Sequence, residues 1–322
     1  MRNAFIKRLG MLAGKDKNVF LLTADLGFKL FDDFRRRYPG RFINFGVAEA
    51  NMVGSAAGLA LSGKNIYCYS MVPFLTMRTF EQIRIDLCYH NLNVKLVGVG
   101  GGLVYGFEGV THQAIEDLSI MRSLPNMSVV APGDPFEVDA LLAESVCHKG
   151  PLYMRLGKNN DPIVHSSPPD FRIGKGIVLK KGGDVTVMAA GTMLVTARAV
   201  SDKLTKKGID VNLVSMHTIK PLDKKLVLDC AAGTWAIFTL EEHSVIGGLG
   251  SAVAEVLAES GCGVLFRRMA LPDAYMADVG SAKYLLGKCG LSAENVTDRI
   301  LKELKGTAKY RKGAGQGIKK KK

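Results

Sequence analysis

The chain has 322 residues, 47% of them hydrophobic, six cysteines and a formal net charge of +13. The length predicts two domains, and the composition excludes a disordered chain in favour of a packed α/β protein. No apolar run nears the roughly 18 residues that cross a bilayer, and the scattered cysteines form no CxxC or Cys/His cluster of the kind that marks a disulfide framework or a zinc site.

The opening segment MRNAFIKRLG is amphipathic and runs on into polar sequence, so it does not read as a signal peptide, and a cytoplasmic location is expected. The charge is unevenly spread. The final stretch KGTAKYRKGAGQGIKKKK holds eight basic residues and no acidic ones, leaving about +5 for the rest. This reads as a disordered, solvated tail over 306–322, so neither a specific nucleic-acid function nor a membrane function follows from the charge.

Short β-branched or apolar runs alternate with helix-like segments. Strands are predicted at Val19–Leu22, Phe42–Asn44, Ile66–Tyr69, Val94–Val99, Ser128–Ala131 and Leu152–Leu156. Helices are predicted between them at Asp32–Arg37, Ala48–Leu61, Arg78–Tyr89, Asp117–Arg122 and Pro135–Cys147. Such spacing means βαβ units and a mostly parallel sheet. A polar, Pro/Gly-rich stretch interrupts the pattern, and a second alternating series follows it. The predicted organisation is therefore a first domain over 1–165, a linker over 166–183, a second over 184–305 and the tail, with both domains doubly wound α/β.

In doubly wound folds ligands sit beyond the carboxyl ends of the strands, and four turns there carry unusual residues. In FGVAEANMVGSAAG, Glu49 opens a helix built almost wholly of small residues. A carboxylate in a first helical turn is also a favourable partner for the helix dipole and nothing more. Close packing around Gly54 and Gly58 would instead desolvate Glu49 and suit it to holding or trading a proton.

The next turn offers Phe74 on a Pro-opened loop followed by Arg78, with a core aromatic as the competing reading. The third is a long Gly-rich loop ending in Thr111-His112-Gln113. It lacks the GKS/T of a P-loop, and His112 at its mouth is a candidate proton-transfer group. The fourth, YMRLGK, puts Arg155 and Lys158 at a strand end, where they suit a phosphate or carboxylate or else a plain ion pair.

Taken together these turns resemble the C-terminal portion of transketolase, and above all the separately encoded C-terminal subunit of split transketolases. Related architecture occurs in 1-deoxyxylulose-5-phosphate synthase and in the β subunit of 2-oxoacid dehydrogenase E1. The matching segments are TADLG at 23–27, RFINFGVAEANMVGSAAGLALSG at 41–63, FLTMRTFEQIR at 74–84 and THQAIEDLSIMRSLPNMSVVAPGDPFE at 111–137. YMRLGK, HTIKPLD at 217–223 and EEHSVIGGLGSAVAE at 241–255 continue the series in order.

The resemblance implies a thiamine-diphosphate enzyme with a pyrimidine-binding domain followed by a transketolase C-terminal domain. It implies that Glu49 hydrogen-bonds N1′ of the aminopyrimidine and so promotes deprotonation of the thiazolium C2. It further implies that Phe74 stacks on the pyrimidine, that Asp25 and Arg78 lie near the cofactor, that His112 faces substrate hydroxyls, and that Arg155 and Lys158 hold a substrate phosphate. The family's usual AEQNM is AEANM here, with Ala50 in place of a polar residue.

The GDG motif that marks the diphosphate and Mg²⁺ site in this family is missing, with only GGD at 182–184 and PGDP at 132–135. A separate N-terminal subunit is therefore expected to carry that site, in an α₂β₂ assembly with homodimeric contacts, acting on sugar phosphates. No metal ligands are assigned to this chain. The alternatives are a chain that decarboxylates a 2-oxoacid and a catalytically silent partner subunit.

Overall fold

The computed structural model describes residues 1–158 and 161–314. Among the described residues twelve strands form two sheets: β1 (Val19–Thr23), β2 (Phe42–Asn44), β3 (Asn65–Met71), β4 (Val94–Val99), β5 (Ser128–Val130) and β6 (Leu152–Leu156), then β7 (Ile177–Lys180), β8 (Val185–Ala189), β9 (Val211–Ser215), β10 (Thr218–Lys220), β11 (Ala236–Ser244) and β12 (Leu265–Leu271). The first sheet runs β10-β5-β6-β4-β3-β1-β2 and the second β12-β11-β8-β9-β7. Helices cover the faces, so β1, β3, β4 and β6 are nearly continuous apolar runs buried on both sides.

Two short strands depart from the expected layout. β7 lies inside the stretch read as a linker and pairs antiparallel with β9 at an edge of the second sheet. β10 follows the second domain's β9 yet pairs antiparallel with β5 of the first sheet, Thr218 opposite Val130. The two units are thus interlocked rather than joined by one connector. Their packing is continuous as well, since Leu22, Val53 and Leu96 share one buried cluster with Val214, Ile219 and Leu249.

Three further differences bear on the site. The helix predicted over Arg78–Tyr89 is broken, with Val72–Thr76 ending before a turn that holds Arg78, then Phe80–Gln82 running into a π-helical stretch, Ile83–Tyr89. The turn leaves Arg78 free to reach back toward Glu49. The helix Ala282–Lys288 was not foreseen, and the last helix, Ala293–Ala314, extends into the segment assigned to a disordered tail, the remainder of which lies outside the described residues. Among the described residues no helix is long and apolar enough to cross a membrane.

Candidate active site

The carboxyl ends of the first sheet gather most of the predicted residues. After β2 the chain turns at Gly46, whose φ of +66° favours glycine, and the helix Glu49–Leu61 begins without a side-chain cap. Met52, Val53, Ala56 and Ala57 bury one face of that helix against the core. The small-residue face is not packed within the chain as expected. A Cβ at Gly58 would meet nothing within 4 Å, Asn51 is exposed, and Val47 and Leu61 are 74% and 71% exposed.

Glu49 is nonetheless only 1% exposed. Its Oε1 accepts a hydrogen bond from Ser70 Oγ at 3.2 Å, and its Oε2 accepts one from Arg78 Nη1 at 2.6 Å. The same guanidinium lies over the Phe74 ring, 4.4 Å from its centroid. The His112 imidazole stands edge-on to the same Phe74 ring, with centroids 5.1 Å apart and planes at 76°. Four candidates from three separate turns (Glu49, Phe74, Arg78 and His112) thus form one contiguous set. His112 Nδ1 is engaged by Thr111 Oγ1 at 2.9 Å.

Asp25 lies on the turn after β1, in left-handed backbone with φ of +53°. Asn44 holds it there, with Oδ1 accepting from the Asp25 amide at 2.9 Å and from the Gly46 amide at 3.1 Å, while Nδ2 donates to the Asp25 carboxylate at 3.2 Å. Asn44 and Ser70 are the site residues that sequence reasoning missed. A polar residue at the end of an apolar strand was the available signal in both cases.

Arg155 is a correction. Its side chain is 5% exposed, and its Nε faces Asp117 Oδ2 at 2.9 Å. Its Nη2 donates to the carbonyls of Ala114 and Glu242, both at 2.8 Å. Asp117 is fully buried and also accepts from Tyr153 at 2.7 Å. These internal partners commit Arg155 to the junction between the domains rather than to a substrate phosphate. Lys158 differs, being exposed with its Nζ 4.5 Å above the Tyr105 ring on the Gly-rich loop, and it is free to meet an anion.

A second polar cluster lies away from these residues, under β9 and the segment leading into β10. Asp134 Oδ2 accepts from the His165 amide at 2.9 Å and faces His165 Nδ1 at 3.1 Å. Burial pushes Glu137 up to about 7, despite the hydrogen bond that its Oε2 accepts from the Gly133 amide at 2.6 Å. Burial holds His217 down to about 3, where it stacks on Phe171 at 4.0 Å.

Comparison with known proteins fits this layout. Residues 1–162 match the transketolase pyrimidine-binding domain and residues 174–296 the transketolase C-terminal domain. The 6-deoxy-6-sulfo-D-fructose transketolase subunit SqwH of Clostridium sp. (strain MSTE9) is 39% identical, over 92% of each chain. A putative transketolase C-terminal section from Methanocaldococcus jannaschii is 38% identical, over 95% of this chain and 96% of that one. A solved split-gene transketolase, an inactive β4 tetramer, superposes with a TM-score of 0.87 at 40% identity, over 94% of this chain and 97% of that one. With both domain models matched in order and relatives of this kind aligned along nearly their whole length, the chain belongs to the transketolase family as a C-terminal subunit of the split type.

Proposed function

We propose that this chain transfers a two-carbon ketol unit between phosphorylated sugars with thiamine diphosphate, and that it does so only with a separate N-terminal subunit holding the diphosphate and Mg²⁺, in an α₂β₂ assembly in the cytoplasm. The observation that carries this reading is the buried Glu49 carboxylate next to a partly exposed Phe74 ring, bridged by Arg78. Each Glu49 oxygen has one donor, and a carboxylate offers about four lone-pair sites, so capacity remains for the protonated N1′ of a pyrimidine. Phe74 offers a planar face on which an aminopyrimidine can stack in place of the guanidinium.

The cofactor fits these residues. One carboxylate beside a guanidinium and an aromatic ring suits an aromatic base and not a hard cation, which supports assigning the diphosphate and Mg²⁺ to the partner. When bound, thiamine diphosphate supplies the nucleophilic carbon and the electron sink for cleaving a ketose carbon–carbon bond. Glu49 holds the proton at N1′ in a water-poor setting, with Ser70 fixing its orientation. His112 has Nδ1 engaged by Thr111 and presents its other ring nitrogen to substrate hydroxyls. Lys158 takes the anionic end of the substrate. The exposed small face of the Glu49–Leu61 helix, with Val47 and Leu61, supports a homodimeric contact beside the site.

The test is reconstitution of the chain with its N-terminal partner, thiamine diphosphate and Mg²⁺. Ketol transfer between sugar phosphates should appear in the complex and be lost in either subunit alone. Turnover of a 2-oxoacid without ketol transfer, or full activity from the isolated chain, would overturn the proposal.

A further inference from the structure

The Gly-rich segment after β4 leaves the sheet at Gly100 and returns at Ala114. Gly102 and Ala114 pair through two backbone hydrogen bonds, from the Gly102 amide at 2.7 Å and the Ala114 amide at 2.9 Å. This pair closes a neck, and residues 103–113 form an excursion whose returning limb carries His112 against Phe74.

The neck is gripped from the second domain. β11 outruns its pairing with β8, which ends at Leu240 opposite Ala189, and the overrun carries Glu242 toward the first domain. Glu242 Oε1 accepts the Leu103 amide at 2.7 Å, and Oε2 accepts Thr192 Oγ1 at 2.6 Å. The carbonyl of the same residue accepts from Arg155 Nη2, which also donates to the Ala114 carbonyl. Both sides of the neck therefore run to residue 242.

The fit is close. Gly102 has φ of +69°, and a Cβ there would fall 2.4 Å from Cγ and Cδ of Glu242. Glu242 is 2% exposed, and its burial raises the carboxyl pKa, offset in part by Thr192 and Arg155. A carboxylate serving only to join two domains has no need to meet one particular amide. This one holds the first amide of the loop that carries His112.

We propose that Glu242 is a positioning residue for ketol transfer, acting through the Leu103 amide to hold His112 at its place beside Phe74. The inference rests on the reading of His112 as substrate-facing. Glu242 itself touches neither cofactor nor substrate, so its effect belongs in the substrate KM and not in cofactor binding.

The test uses the reconstituted complex with Glu242→Ala and Glu242→Gln. In the alanine variant, amide exchange within residues 103–113 should rise about tenfold, as expected for one lost buried hydrogen bond. KM for the donor ketose should rise by about the same factor. Thiamine diphosphate affinity, read by circular dichroism titration, should stay within about twofold, because Glu49, Phe74 and Arg78 lie on other elements. Glu242→Gln keeps an acceptor for Leu103 and a partner for Thr192, and should restore both loop protection and KM.

Unchanged loop exchange and KM in the alanine variant would overturn the proposal. So would a glutamine variant as deficient as alanine, or a loss of cofactor affinity in step with KM. If the wild-type complex transferred no ketol unit, the functional reading would fail instead, and exchange measured on the chain alone would still decide whether Glu242 sets the loop.

Discussion

Glu49 in the first domain and Glu241 in the second are both buried carboxylates set against the start of a helix, Glu49 as its first residue and Glu241 reaching it from strand β11. Glu241 is tied to its own domain's backbone, with Oε2 accepting the Leu249 amide and Oε1 the Gly250 amide, both at 2.7 Å, which caps the helix Leu249–Glu259. Glu49 makes no such cap. It faces a hydroxyl and a guanidinium whose side chain is 45% exposed, beside an aromatic ring. Burial alone does not separate a working carboxylate from a structural one. The separation lies in whether its lone pairs are spent on backbone amides or held by groups a ligand can join or displace.

Four tests break or sharpen that contrast, beginning with the largest. Glu49→Ala in the reconstituted complex should lower kcat by about 10²–10⁴-fold, the range for a lost proton-transfer group. An unimpaired enzyme would remove Glu49 from the chemistry.

Arg155→Ala should cost about 3–5 kcal/mol of stability in urea, because Asp117 is left as an uncompensated buried charge. It should leave the preference for phosphorylated over unphosphorylated donors unaltered, whereas Lys158→Ala should erode that preference about tenfold. The reverse pattern would return Arg155 to the substrate.

Glu241→Ala should destabilise the chain by about 1–3 kcal/mol through two orphaned amides, with cofactor affinity intact. Weakened cofactor binding there would blur the distinction between the two carboxylates.

The fourth concerns pH. His217 is held near 3 when folded against an ordinary 6.5, so between those values the unfolded chain binds the extra proton and stability falls as pH falls. Glu137 is raised from 4.5 to about 7, so between those values the folded chain holds the proton and stability falls as pH rises. The two slopes oppose from about 4.5 to 6.5. His217→Gln should expose the Glu137 slope, a change of up to about 1.4 kcal/mol per pH unit in urea titrations. A variant profile parallel to wild type would show that His217 contributes no slope.

Much of the fold was legible because parallel strands covered on both faces must be apolar throughout, and β4 and β6 begin and end where the sequence predicts. β7 and β10 escaped because each is short, lies at a sheet edge and takes its register from a distant strand, so no local pattern marks them. Glu49 stood out as a lone carboxylate in small apolar surroundings. Its surroundings were misjudged, since the glycines lie on an open face and the desolvation comes from the strand side. Arg155 was misread because a cation at a strand end looks the same whether its anion is a ligand or an aspartate far along the chain, and Asp117 gave no local sign of that role. Ser70 left only the trace of a polar residue at the end of an apolar strand, and only the fold brings it to Glu49.

The strand that crosses over from the second domain bears on how this chain can be cut. A fragment ending at residue 165 would lack β10 and present β5 (Ser128–Val130) as a bare sheet edge with unpaired amides and carbonyls. Bare edges recruit other strands. Expressed alone, the pyrimidine-binding half is expected to self-associate, and the smallest piece that shields that edge with its own sequence must run through Lys220.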